Sequence, residues 1–230
     1  MPLQQIRPTA RELSIAMLAL VVVLGGAFVA ASLKQDVFML APPCPKLPCN
    51  PAPFLESQRL DLHRTFFTAW AALILATPAL CTFWFRHTSA AAAKYWLAFW
   101  TASFLAFLVH FYWAAFILFG EDWARIFDKV ANGRRVTLPV FDTLFTVWWG
   151  VDVLHAWLGK SENRFIRVQR VLVHVSAFAL FVFATAREGE QPASRALGVA
   201  MGVVVFTSVV IRVVYWLTNR NKERPAPAIA

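Results

Sequence analysis

Apolar residues fall into six runs along the chain, each close to the length of about 20 residues that a helix needs to cross a bilayer. The runs cover residues 12–33, 65–85, 95–119, 138–159, 168–186 and 197–217. Short connections separate most of them. The pattern predicts an all-α polytopic membrane protein in which residues 1–230 form a single transmembrane domain of about six helices.

The composition supports this class. Hydrophobic residues make up 59% of the 230 residues and charged residues 15%, whereas soluble domains carry roughly 25% charged residues. This balance excludes an ordinary soluble globule and a disordered chain. The net charge is +9, but the basic residues lie at the ends of apolar runs rather than along one soluble face. They indicate contact with membrane lipids and give no support to nucleic-acid binding.

The distribution of charge predicts an orientation, because Lys and Arg are held on the cytoplasmic side. With both termini inside, the inner connections carry 11 basic against 3 acidic residues, or +8, and the outer ones 10 against 8, or +2. The basic counts alone, 11 and 10, separate the two sides much less. We expect both termini in the cytoplasm and the chain in a bacterial inner membrane.

The outer loop 34–64 contains Cys44 and Cys49 within a stretch of five prolines. In an oxidising exocytoplasmic space these two cysteines favour a local disulfide. The alternative is a soft-metal site that uses both thiolates. The C-x4-C spacing matches no specific ligand signature, so we expect the disulfide.

A second outer segment, residues 121–131, repeats apolar residues at helical spacing. It predicts a short amphipathic helix in the outer membrane interface, as an anchor or as a lid that docks a partner or substrate. Residues 219–230 are basic and then rich in Pro and Ala, which predicts a disordered, lipid-facing tail.

Four ionisable residues inside the runs lie at one level, about 6–10 Å from the predicted inner ends. They are Asp152 and His155 in the fourth run, His174 in the fifth and Arg212 in the sixth. Charged groups at such depth are expensive, so each needs a partner or a function. Asp152 and His155 are one helical turn apart and share a face.

This group allows several interpretations. His155 and His174 could ligate a b-type haem across a helical hairpin, or line a quinone-binding or proton-relay pocket. Asp152 could complete a metal site with the histidines. The structural alternative is an ion pair between Asp152 and Arg212, with the histidines forming hydrogen bonds that join helices.

His110 lies near the middle of the third run, followed by Phe111, Tyr112 and Trp113. A membrane histidine among aromatic residues could ligate a haem or chlorin, but it more often forms a hydrogen bond within the packing of the helices. We expect the second role.

No catalytic motif is evident: the sequence has no phosphate-binding Gly-rich loop, no G-x-S-x-G and no H-E-x-x-H. The first functional hypothesis is a small accessory or structural subunit that packs against a larger redox, photosynthetic or transport complex. The alternatives are a haem- or quinone-linked redox protein that uses His155 and His174, and a small proton- or ion-coupled transporter.

Overall fold

The structure is a computed structural model that describes residues 6–33, 59–118, 130–131, 134–135, 138–159, 162–182, 185 and 192–220. Some predictions fall outside these ranges and stay predictions. They are the Cys44–Cys49 disulfide, the amphipathic helix over residues 121–129, and the tail beyond residue 220.

Within the described residues the chain forms six long helices, and each covers most of one of the six apolar runs. They are α1 Ala10–Ser32, α2 Arg59–Phe83, α3 Ala90–Tyr112, α4 Leu138–Leu158, α5 Arg164–Val182 and α6 Pro192–Arg220. A π-helical turn, Trp113–Leu118, continues α3. The predicted helical class is therefore confirmed. Several helices begin before their apolar run, and at α5 the added turn contains charged residues.

One short hairpin departs from this pattern. Strand β1, Val130–Ala131, pairs antiparallel with β2, Arg134–Arg135. The predicted amphipathic helix extended to residue 131, so its last two residues were assigned wrongly. The sequence between the strands is Asn-Gly, which is a strong signal for a two-residue hairpin connection.

Local capping fixes where three of the helices begin. Before α1, the backbone N–H of Thr9 donates to the Glu12 carboxylate at 2.7 Å. Before α3, the Ser89 hydroxyl accepts from the backbone N–H of Ala92, and before α5 the Asn163 side chain accepts from that of Ile166. Each cap satisfies a backbone donor that the first helical turn leaves without a partner.

The antiparallel hairpin of α2 and α3 forms the centre of the molecule. Small residues recur in the packed interior: Ala72, Ala76 and Ala79 of α2 lie in one core cluster with Ala106 of α3, while Ala98 and Ala102 of α3 pack with Ala16 of α1, and all are 0% exposed. Such residues allow two backbones to approach closely, which is how helices pack where lipid removes the hydrophobic driving force. α1 packs on both helices of this hairpin, α4 on α3, α5 on α4 and α6, and α6 on α2.

The outer surface of the bundle is strongly apolar. Val21 of α1 is 68% exposed and Phe206 of α6 is 66% exposed, and many other large apolar side chains are exposed beside them. Soluble proteins rarely expose continuous apolar surface of this extent. Within the ranges that the structure describes, five helices are long and apolar enough to cross a membrane: α1, α2, α3 with its π-helical turn, α5 and α6.

Candidate functional site

The buried charges gather at one end of the bundle, where the connection from α2 to α3 meets the connection from α4 to α5. Four residues form what we call the ionic cluster: Arg86, Asp152, Glu162 and Arg170. Arg86 follows the end of α2 and Glu162 precedes α5. Asp152 lies on α4 and Arg170 on α5, so the cluster joins both hairpins.

Asp152 is 0% exposed and both of its carboxylate oxygens accept hydrogen bonds. The indole N–H of Trp100 donates to Oδ2 at 2.9 Å, and Nε of Arg170 donates to Oδ1 at 3.2 Å. These bonds connect α4 to α3 and to α5. A buried carboxylate is tolerated only when it is paired and bonded in this way.

Glu162 extends the network to the α2–α3 connection. It accepts from Nη1 of Arg170 at 3.0 Å, and Nη2 of Arg86 lies 3.6 Å from the same oxygen. His87 approaches the other oxygen, with Nε2 at 3.6 Å. Two carboxylates thus face two guanidinium groups, and the formal charges of the ionic cluster cancel.

Arg86 makes further contacts besides the ion pair with Glu162. Its Nη1 donates to the carbonyl oxygen of Phe83 at 3.0 Å, and its guanidinium lies 3.8 Å from the centroid of the Phe83 ring. Burial lowers the pKa of Arg86 to about 10, and Glu162 opposes that shift. Arg86 therefore stays protonated at pH 7.

His87 stands next to Arg86 at the edge of the ionic cluster. Burial lowers its pKa below the usual 6.5, and the neighbouring positive charge of Arg86 lowers it further, while Glu162 acts in the opposite direction. His87 is therefore neutral at pH 7, so it leaves the charge balance of the cluster unchanged.

His174 uses both ring nitrogens inside the protein. Trp96 donates its indole N–H to Nε2 at 2.7 Å, so Nε2 must be an acceptor and Nδ1 carries the proton. Nδ1 lies 2.7 Å from the carbonyl oxygen of Arg170 one turn earlier. The imidazole is sandwiched between Phe83 and Trp100, with a centroid distance of 3.9 Å to each.

This arrangement does not fit axial ligation of a haem by His174. Ligation requires a free ring nitrogen, and Nε2 would have to give up Trp96 while flat rings cover both faces of the imidazole. The other predicted ligand, His155, is half-buried at the end of α4. Its ring packs tightly against Gly159: a Cβ atom at position 159 would lie only 2.9 Å from Cε1 of His155.

The prediction of an ion pair for Asp152 names the wrong partner, Arg212. Arg170 pairs with Asp152, whereas Nε of Arg212 donates to the carbonyl oxygen of Trp84 at 3.0 Å. The physical reason is the packing order, since α6 packs on α2 and α5 rather than on α4. Arg170 is the third residue of the run 168–186, and the charge distribution places it among the 11 basic residues on the inner side. Its place four residues before His174, on the same helical face, was the available signal.

His110 lies toward the opposite end of the bundle. Its Nδ1 is 2.8 Å from the carbonyl oxygen of Thr65, so it links α3 to α2 as a packing residue does. Nearby, Asp61 accepts from Arg64 at 3.0 Å and from the indole N–H of Trp113 at 3.1 Å. This second polar group also joins α2 to the continuation of α3.

Among the described residues, no group of three or more His, Cys, Asp or Glu side chains could hold a metal ion. Cys81, on α2, is a free thiol. No protein-family model, characterised protein or solved structure matches this chain.

Proposed function

We propose that the chain is a small integral-membrane subunit that packs against a larger membrane complex and contributes structure rather than catalysis. The observation that carries this proposal is the hydrogen bonding of Asp152 and His174. Both oxygens of Asp152 and both ring nitrogens of His174 are bonded within the chain. A catalytic or ligating group needs a free position for the reacting atom, and here those positions join helices instead.

In this proposal all six helices span the membrane, so α4 crosses it as the other five helices do. It places both termini in the cytoplasm of a bacterium and the bundle in the inner membrane. Arg164 and Arg167, exposed at the start of α5, lie at the same end as Arg86. This concentration of basic residues supports a cytoplasmic location for that end.

The outer face of α1 is the surface that we propose meets the partner. Leu18, Val22 and Val29 are 65%, 63% and 63% exposed. Between them, a Cβ atom added at Gly25 or Gly26 would meet nothing within 4 Å. Small residues on a lipid-facing helix permit close approach of a second helix, so this face suits a transmembrane helix of another subunit.

The test is native mass spectrometry of the tagged full chain, extracted from its own membranes in a mild detergent. We expect a complex of fixed stoichiometry that Gly25→Ile disrupts. The matched control is Val199→Ile, on an exposed position of α6, which should leave the complex intact. A wild-type chain that runs alone under these conditions would overturn the proposal.

The same preparation separates the alternatives. A Soret band that disappears in the His155→Ala, His174→Ala double variant would favour the redox protein with a b-type haem. Proton or ion flux in liposomes that is lost in Asp152→Asn would favour the transporter. The subunit proposal expects neither signal.

A further inference from the structure

An apolar cleft opens between α2, α5 and α6, close to the end of the bundle that carries the ionic cluster. Its volume is ≈ 70 Å³, and its walls include Leu80 and Trp84, Val175 and Phe178, and Val205 and Val209. The ring of His174 also lines it, but both nitrogens of that ring are bonded elsewhere. The cleft therefore presents carbon atoms to an occupant almost throughout.

The cleft faces the lipid side of the bundle. Phe206 at its rim is 66% exposed and Val175 is 46% exposed, both on the apolar outer surface. A pocket for a compact drug-sized molecule has about 300–1,000 Å³, so this cleft is too small for a ring system such as a porphyrin. A short segment of a slender hydrocarbon chain fits both its size and its lining.

Arg212 provides a cation at one end of the cleft. It follows Val209 by three residues on α6, so it lies one turn further along the same face. Its Nε is anchored on the carbonyl oxygen of Trp84, the residue directly after α2. The guanidinium of Arg212 is thus held beside the end of the second predicted span, although counting along its own run places the residue about 6–10 Å inside the membrane. A long Arg side chain reaches toward the span end in this way, and the phosphate of a phospholipid lies there.

The charge of Arg212 is also uncompensated, unlike the charges in the ionic cluster. Arg86 and Arg170 each face a carboxylate, but within the part of the chain that the structure describes Arg212 has no acidic partner. The Tyr215 ring lies 5.8 Å from its guanidinium carbon. A guanidinium has five N–H donors and binds phosphate through pairs of them, so the Nη groups remain for an anion.

We propose that this cleft binds one acyl chain of an anionic phospholipid whose phosphate is held by Arg212. The lipid would fill the seam between α6 and α2 and would neutralise Arg212. This site is independent of the proposed partner surface on α1, which lies on another helix.

The test uses the delipidated full chain in detergent, with thermal unfolding followed as phosphatidylglycerol, phosphatidylcholine or inorganic phosphate is added. We expect phosphatidylglycerol to raise the unfolding temperature more than phosphatidylcholine, and inorganic phosphate to have no effect. Arg212→Gln should weaken phosphatidylglycerol binding at least about tenfold, as expected for a lost hydrogen bond to a charged group. Stabilisation by inorganic phosphate alone would overturn the lipid proposal.

Two further variants guard against a loss of folding or a general charge effect. Val209→Phe fills the cleft and should reduce binding of both lipids, while Arg164→Gln removes a charge from the same end of the bundle and should keep the preference for phosphatidylglycerol. If Arg164→Gln loses the preference as much as Arg212→Gln, or Val209→Phe binds as the wild type does, the proposed site is wrong. If Arg212→Gln fails to fold, two other variants test the site in its place. These are Val209→Phe, and Arg212→Lys, which keeps the positive charge but lacks the paired N–H donors.

Discussion

Trp96 donates its indole N–H to Nε2 of His174 at 2.7 Å, and this bond fixes the protonated nitrogen of a histidine that is 1% exposed. The bond joins α3 to α5 at the level of the ionic cluster. Because a buried acceptor without its donor costs about 1–3 kcal/mol, Trp96→Phe should lower the free energy of unfolding by about that amount. Denaturation in detergent, followed by circular dichroism, measures it.

Trp149 offers the matched control. It is 0% exposed, and its indole nitrogen has no hydrogen-bond partner among the described residues. Trp149→Phe removes the same atoms without breaking a bond, so it should be clearly less destabilising than Trp96→Phe. Equal losses would mean that the lost ring volume, and not the bond to His174, determines stability.

Asp152→Asn should be among the most damaging single-atom changes in the protein. It removes the charge that compensates Arg170 in a fully buried pair, and breaking such a pair costs about 3–5 kcal/mol. Asp61→Asn makes the same change in the more exposed pair with Arg64, whose side chains are 31% and 26% exposed, and should cost under about 1 kcal/mol. Thermal unfolding of both variants in one detergent tests the ranking, and a reversed order would contradict the buried-pair interpretation.

The stability of the protein should fall as the pH is lowered through 6.5, in part because of His87. Burial and Arg86 depress the pKa of His87 in the folded state, so between that depressed value and 6.5 the unfolded chain binds more protons than the folded one. The free energy of unfolding therefore decreases with falling pH across this window. Unfolding of wild type and His87→Gln from pH 8 to pH 5 measures the contribution, and parallel curves would show that His87 has none.

Gly159→Ala should distort the end of α4. A Cβ atom there would lie 2.7 Å from the backbone oxygen of His155, so the backbone must shift and the variant should be destabilised. Gly25→Ala is the control, because its Cβ atom would meet nothing within 4 Å and alanine has the higher helix propensity. A stable Gly159→Ala variant, with an unfolding temperature like that of Gly25→Ala, would show that the last turn yields easily.

The sequence predicted the helices well because each apolar run carries its own signal of length and hydropathy. It also placed Asp152 and His174 at one level, which follows from counting residues along two helices. Their partners depend on how each helix is rotated and which helices are neighbours, and one-dimensional spacing does not contain that information. The true partner of Asp152, Arg170, lies at the start of its apolar run, where the sequence does not show whether the side chain is buried or at the membrane boundary; it is 3% exposed.

Trp96 and Trp100 illustrate the same limit. Mid-span tryptophans predict either helix packing or a pocket, and nothing in the sequence shows where an indole N–H points. Here both N–H groups point at the ionisable residues of other helices, His174 and Asp152. Glu162, which appears in the sequence as an ordinary loop charge, proves to connect the two hairpins.

The contact between Arg86 and Glu162 has a consequence for biosynthesis, since ribosomes deliver the two residues at different times. Arg86 emerges with the first hairpin and has no carboxylate partner until the connection before α5 has been made. A nascent chain that stalls before Glu162 therefore presents an uncompensated guanidinium next to its third helix.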